Sequence, residues 1–218
     1  MLLFENIQKT FPGPEGPVEV LKDVNFTVHC GKMTVIQGPS GSGKSTLLFT
    51  AGAMLPPDSG SILFDGQSIY DLSISKRNRF RGTSVGFVFQ RFHLIPYLNV
   101  EENLLWALRR SKDLKTEMKR LPGLASDLGI QHRLKHRPAQ LSAGEQQRVA
   151  VARALIGNKK LICADEPAGN LDKENAEIVI RHLRIFAENG GAVLMATHNG
   201  GFEADEVFQL RNGKVVQV

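Results

Sequence analysis

Thr34-Val35-Ile36-Gln37 runs straight into Gly38-Pro39-Ser40-Gly41-Ser42-Gly43-Lys44-Ser45-Thr46, and the reading of this stretch decides the fold. A short apolar strand, a glycine-rich loop and a helix opening at Lys44 follow one another without a gap. The loop fits the spacing G-x-x-x-x-G-K-[ST] at Gly38, Gly43, Lys44 and Ser45. Glycines let the backbone amides turn toward a β-phosphate, Lys44 bridges the β- and γ-phosphates, and Ser45 offers its hydroxyl to Mg²⁺. The helix that follows adds the positive end of its dipole. At ordinary glycine content a chance match has odds on the order of one in a hundred, and strand-before, helix-after context lowers them further.

Two more segments follow in order. Leu161-Ile162-Cys163-Ala164-Asp165-Glu166-Pro167 places two carboxylates at the end of an apolar strand. Alone, such a carboxylate serves equally as a helix cap. Beside a phosphate loop, Asp165 reads as the holder of magnesium through water, and Glu166 as the general base for an attacking water. Leu141-Ser142-Ala143-Gly144-Glu145-Gln146-Gln147-Arg148 opens a predicted helix with a hydroxyl and small residues, which is either an ordinary N-cap or a second anion site. One loop already cradles the triphosphate. A second site has a use only if it closes on the γ-phosphate from another subunit.

The remaining sequence sets bounds. A chain of 218 residues buries a good core and sits near the upper end of single-domain size. No window approaches the ~18 to 20 apolar residues of a membrane span, and the first residues lack the basic and apolar regions of a secretory signal. Action at a membrane therefore requires docking onto a protein that spans it. The net charge of +5 comes with basic clusters at Arg77, Arg79 and Arg81, at Arg109, Arg110 and Lys112, and at Arg133, Lys135 and Arg137. Only Phe80 interleaves with them, so they read as solvated faces and not as a nucleic-acid surface. Cys30 and Cys163 stand far apart, and both read as buried thiols of a reducing compartment, the cytosol.

Strands are expected at 2–7, 24–30, 34–37, 61–64, 85–89, 161–164 and 192–197, with a closing hairpin about Asn212-Gly213. Helices are expected at 44–53, from 100 to about 128, at 144–156 and at 173–188. The alternation predicts an α/β fold with a largely parallel sheet and ligands at its carboxyl ends, interrupted by a helical insert from roughly 91 to 151.

Motifs in this order over the whole length identify the chain as similar to the nucleotide-binding subunits of ATP-binding cassette (ABC) transporters. The resemblance implies a P-loop, RecA-like core and an antiparallel β subdomain, about 1–90 and 152–218, with an inserted α-helical subdomain at about 91–151. It implies ATP and Mg²⁺ as ligands and ATP hydrolysis as the reaction. Phe11 resembles the aromatic that stacks on adenine. Gln90 matches the glutamine that senses Mg²⁺ and the membrane partner, and His198 the histidine that bonds the γ-phosphate. Lys44, Gln90, Glu166 and His198 are then the catalytic set, and Ser45, Gln90 and Asp165 surround the metal. Ser142, Ala143, Gly144 and Glu145 complete the opposite subunit's site, and Asn170-Leu171-Asp172 resembles the loop crossing the dimer interface. Ala143, Glu145 and Asn199 depart from the family's usual glycine, glutamine and aspartate. The first two departures imply weaker or slower closure.

Val85 to Pro96, Ala164 to Asp172 and the insert between Phe11 and Val24 look most like the branch of macrolide exporters, lipoprotein-release systems, haem-efflux pumps and the cell-division pair. That branch implies an ATP-bound homodimer on the cytoplasmic face of the membrane. It also implies a permease of about four spans with an extracytoplasmic domain. An importer ATPase and a nucleotide-gated regulatory clamp are the alternatives.

Overall fold

The computed structural model describes residues 1–218 except 112, 113, 170 and 199–202, so Lys112, Asn170 and Asn199 lie outside the described residues. Strands β1 (Leu2–Gly13) and β2 (Gly16–Val28) pair antiparallel from Leu2↔Val28 to Gly13↔Gly16. The expected strands at 2–7 and 24–30 are thus the base of a longer hairpin whose tip is the Pro12–Pro17 segment. The two prolines pair at that tip, where a missing ladder donor is tolerated. After β3 (Met33–Gln37) come the glycine loop and α1 (Lys44–Ala51). β4 (Ser59–Phe64) and the two-residue β5 (Gln67–Ser68) join the hairpin in an antiparallel sheet ordered β2-β1-β4-β5.

Helix α2 (Ile74–Ser84) was not foreseen. None of its residues is buried, so it has no apolar period to read, and only its cap Ser73, accepting the Lys76 amide, marks its start. β6 (Val85–Val88) leads to α3 (Val100–Leu108), α4 (Leu114–Asp127) and α5 (Ala143–Leu155), with two 3₁₀ turns at Gln131–Arg133 and Pro138–Gln140. The single helical run expected over 100–128 is two helices, because the chain leaves α3 in a turn at Arg109 and Arg110. β7 (Leu161–Asp165), α6 (Lys173–Glu188), β8 (Ala192–Thr197), β9 (Glu206–Arg211) and β10 (Lys214–Gln217) complete the chain.

The central sheet runs β10-β9-β3-β8-β7-β6, parallel throughout except for β10 at its edge. Both faces are covered, so β7 and β8 are buried along their whole length and read as unbroken apolar runs. Alternation sends Ile36, Cys163 and Leu194 into the core shared with α1 and the antiparallel sheet. It sends Val35, Ile162 and Met195 into a second core under α3 to α6. The registers Gln37↔Thr197, Asp165↔Ala196 and Val88↔Ala164 bring the carboxyl ends of four strands into line. Gly38, Gln90, Glu166 and His198 leave the sheet along that one edge, the place where open parallel sheets bind ligands.

One cysteine differs from expectation. Cys163 is fully buried and its thiol pKa is pushed up by that burial, but Cys30 is exposed, because β2 ends at Val28 and Cys30 lies in the turn beyond it. Among the described residues, no helix is long and apolar enough to cross a membrane.

Candidate functional site

Gly43 holds φ 102 as the N-cap of α1, a conformation side-chain-bearing residues rarely adopt, and a Cβ there would lie 2.7 Å from Val20 Cγ1. With no side chain capping the helix, the first-turn amides face the loop and suit an anion. Lys44 is buried, and its ammonium donates to the carbonyls of Gly38 (2.8 Å) and Pro39 (3.0 Å). It also stands 3.9 Å from Glu166 Oε1, so the loop's one cation sits between backbone oxygens and a carboxylate.

Asp165 ends β7 and is 5% exposed, and its carboxyl accepts the Ser45 hydroxyl. Burial pushes its pKa up and the neighbouring Glu166 charge adds to that, while Ser45 and Lys44 only partly oppose the rise. Glu166 adopts φ 46, a left-handed backbone uncommon for glutamate and disfavoured before a proline such as Pro167. Such strain is worth on the order of 1–3 kcal/mol and persists only where neighbours impose it. Here the Glu166 amide donates to Ala196 O (2.9 Å) and its carbonyl accepts the Gly169 amide (3.2 Å). The result aims the carboxylate along the sheet edge. Oε1 accepts from His198 Nδ1 at 2.8 Å, and since a carboxylate only accepts, Nδ1 carries the proton. Oε2 is buried and has no hydrogen-bond partner among the described residues, a costly state for a structural carboxylate and a useful one for a base.

These groups line one cleft of about 690 Å³, together with Phe11, Gln90 and the phosphate loop. Phe11 is half-buried at one end, with the Lys9 ammonium 5.7 Å from its ring centroid. The hairpin tip therefore carries Phe11 to the cleft. Ser142 to Glu145 and Asp172 are not among the cleft's lining residues. Ser142 is the exposed N-cap of α5, its hydroxyl accepting the Glu145 amide (3.2 Å), while Glu145 Oε2 accepts the Ser142 amide (2.8 Å). A Cβ on Gly144 would lie 2.9 Å from Asn175 Cγ, so a larger residue there displaces the Asn175 side chain. Asp172 caps α6, accepting from the Asn175 amide (2.9 Å) and side chain (2.7 Å).

Glu145 carries its negative charge near the Ser142 amide with the carboxylate turned inward, where Oε1 accepts from Arg133 Nε at 2.7 Å. Burial pushes its pKa up, but the Ser142 amide and the Arg133 guanidinium outweigh that and hold it below the ordinary 4.5. The ionised form therefore stabilises the fold above the unfolded pKa, and the gain is lost as pH falls through the lower folded value. Glu145→Gln, which keeps the cap, is expected to cost about 0.5–1 kcal/mol at neutral pH. Thermal unfolding against pH checks this: the gap from wild type closes as the pH falls through the lowered folded value, beneath the ordinary 4.5.

Three residues that matter to the site escaped the sequence reading. Asn103, fully buried on α3, accepts the Ile95 amide (2.8 Å) and donates to the carbonyls of Ile95, Leu98 and Asn99, shaping the segment after Gln90. Arg153 donates to the carbonyls of His93 (2.5 Å) and Phe92 (2.9 Å). Gln147 donates to Pro167 O (2.7 Å). For Asn103 and Arg153 the available signal was a polar residue at a helical position beside apolar ones, whereas Gln147, between Gln146 and Arg148, carries no such signal.

Comparison with known proteins places the chain in a family. The family described as ABC transporter matches residues 21–169. The lipoprotein-releasing system ATP-binding protein LolD 1 of Rhodopirellula baltica is 39% identical over 221 residues, covering 100% of this chain and 96% of that protein. The putative hemin import ATP-binding protein HrtA of Staphylococcus haemolyticus is 38% identical over 218 residues, with 98% of each covered. The macrolide export ATP-binding/permease protein MacB of Bartonella henselae is 38% identical over 219 residues, covering 99% of this chain but 33% of that longer protein. The dimeric structure of MJ0796, a bacterial ABC transporter cassette, superposes with TM-score 0.88 at 34% identity, covering 99% of this chain and 96% of that one. A second MJ0796 structure, at 33% identity, is a dimeric post-hydrolysis state bound to ADP and Pi. The chain belongs to the ABC transporter family. It is an ATP-binding, ATP-hydrolysing cassette of that family, with the branch neighbours its loops pointed to.

Proposed function

We propose that this cassette dimerises around two ATP molecules and drives export or membrane extraction by a partner permease. The observation that carries the reading is a separation. The phosphate loop, Gln90, Asp165, Glu166 and His198 share one cleft, while Ser142 and Gly144 open a different helix outside it. An exposed capped N-terminus with a hydroxyl and small residues is suited to a second copy's γ-phosphate. In this reading the chain divides into a RecA-like and β core, about 1–90 and 152–218, and a helical subdomain at about 91–151 that carries the signature. Phe11 stacks on adenine, and Gly38 to Thr46 wrap the phosphates. Glu166 takes a proton from the attacking water while Lys44 and His198 hold the γ-phosphate oxygens, so catalysis is chiefly positioning and charge neutralisation.

The oxygens of Ser45 and Asp165, with the amide of Gln90 on the same cleft, fit a hard cation such as Mg²⁺, the phosphates supplying further ligands. When bound, that ion neutralises phosphate charge. The permease's place is the groove beside the Gln90 loop, where Met54 and Trp106 are exposed next to Phe89 and His93. The cassette is then peripheral, on the cytoplasmic face. Export is favoured by the names of the LolD and MacB relatives, and the hemin import name of HrtA keeps import as the second reading.

The test compares Glu166→Gln with Glu166→Gln/Ser142→Arg in ATP by size-exclusion chromatography with light scattering. The first is expected to run as a dimer. The second is expected to stay monomeric, because a guanidinium fills the space reserved for the partner's phosphate. Equal dimer yield in both removes Ser142 from the shared site.

A further inference from the structure

The helix that begins at Ser142 touches the turn carrying Glu166 through a buried hydrogen bond. Gln147 is 2% exposed, and its Nε2 donates to the Pro167 carbonyl at 2.7 Å. Pro167 directly follows Glu166, whose left-handed backbone (φ 46) suits neither glutamate nor a residue preceding proline. Neighbours must therefore hold it. The Ala196 carbonyl takes the Glu166 amide from β8, and the Gly169 amide closes the turn from within. Gln147 adds the hold from α5. The following stretch is also braced against α5 at its far end, where Asp172 binds Asn175 and Asn175 abuts Gly144.

Helix α5 responds as one body. Val149, Ala150, Val151 and Ala152 are fully buried in the core, and Arg153 grips the Phe92 and His93 carbonyls at the other end. A push on Ser142 therefore reaches Pro167 through Gln147 and is not absorbed within the helix.

We propose that Gln147 is a positioning residue for Glu166, which links engagement of the Ser142 signature by one ATP to the readiness of the base at the other. The assignment rests on the two-subunit reading above. Gln147 touches no nucleotide and acts only through the Pro167 carbonyl.

The experiment uses the purified full chain. Gln147→Met keeps the length and volume of the side chain and removes the donor. Its kcat is expected to fall about tenfold to a hundredfold, as for a slightly misplaced catalytic group. KM for ATP stays within about twofold. The Hill coefficient for ATP drops from about two toward about one. A folded Gln147→Met with wild-type kcat and Hill coefficient overturns the proposal.

Should that variant melt early, Gln147→Glu supplies a second readout. A protonated carboxyl donates to the Pro167 carbonyl and a carboxylate cannot. The variant's activity relative to wild type is therefore expected to recover as pH falls from about 8 to about 6, burial raising the new group's pKa. A flat ratio overturns the proposal. Failure of the two-subunit reading looks different: the wild type itself then has a Hill coefficient of about one, Glu166→Gln forms no ATP dimer, and the coupling falls with it. A cooperative wild type beside an equally cooperative Gln147→Met removes only the role of Gln147.

Discussion

Glu166→Gln is expected to bind ATP normally and to lose turnover by a factor of about 10² to 10⁴, the usual worth of a general base. The substitution is conservative in shape. A glutamine carbonyl still accepts from His198 Nδ1, the Ala196 carbonyl still takes the backbone amide, and the strain at φ 46 is unchanged. What disappears is the proton acceptor, chiefly the buried Oε2, which has no partner among the described residues. Phosphate release against a bound-nucleotide assay separates the two quantities. Turnover within about tenfold of wild type takes the base role away from Glu166. Turnover lost together with ATP affinity points instead to a damaged cleft.

Lys44→Ala is expected to fail one step earlier, at binding. The Lys44 ammonium is buried, held at 2.8 and 3.0 Å by two loop carbonyls and 3.9 Å from Glu166. Removing it subtracts a charge-assisted contact to phosphate, about 3 kcal/mol or a hundredfold in affinity. It also leaves Asp165 and Glu166 unneutralised as an anionic ligand arrives. Lys44 is one of the two influences that hold the Asp165 pKa down, so its loss weakens the metal position as well. Calorimetric titration of ATP with Mg²⁺, with phosphate release, checks both effects. Affinity within about threefold of wild type means that the loop amides alone carry the phosphates.

The parallel sheet and the four loop exits were legible because they depend on residue types with few substitutes. A phosphate loop needs glycine at Gly43 for backbone reasons, and a strand buried on both faces needs an apolar run such as 161–164. Helix α6 and strand β8 were found at their observed bounds for the same reason, as clean patterns between polar breaks. Helix α2 was invisible because a helix with nothing buried has no pattern to reveal. The partner of Glu145 was not legible because the position shows a charge and not what neutralises it, and Arg133 lies twelve residues away on a 3₁₀ turn. Gln147 was invisible for a deeper reason. Its partner is a backbone carbonyl, which every residue possesses, so no side-chain pattern records the contact.

The capping box at the head of α5 does two jobs with one side chain. The Ser142 oxygen receives the Glu145 amide on one lone pair, which leaves its hydroxyl hydrogen for whatever approaches. Ser142 can therefore donate to an incoming oxygen acceptor without releasing its hold on the helix. A contact between two copies through this group would cost neither copy the anchor of its own helix.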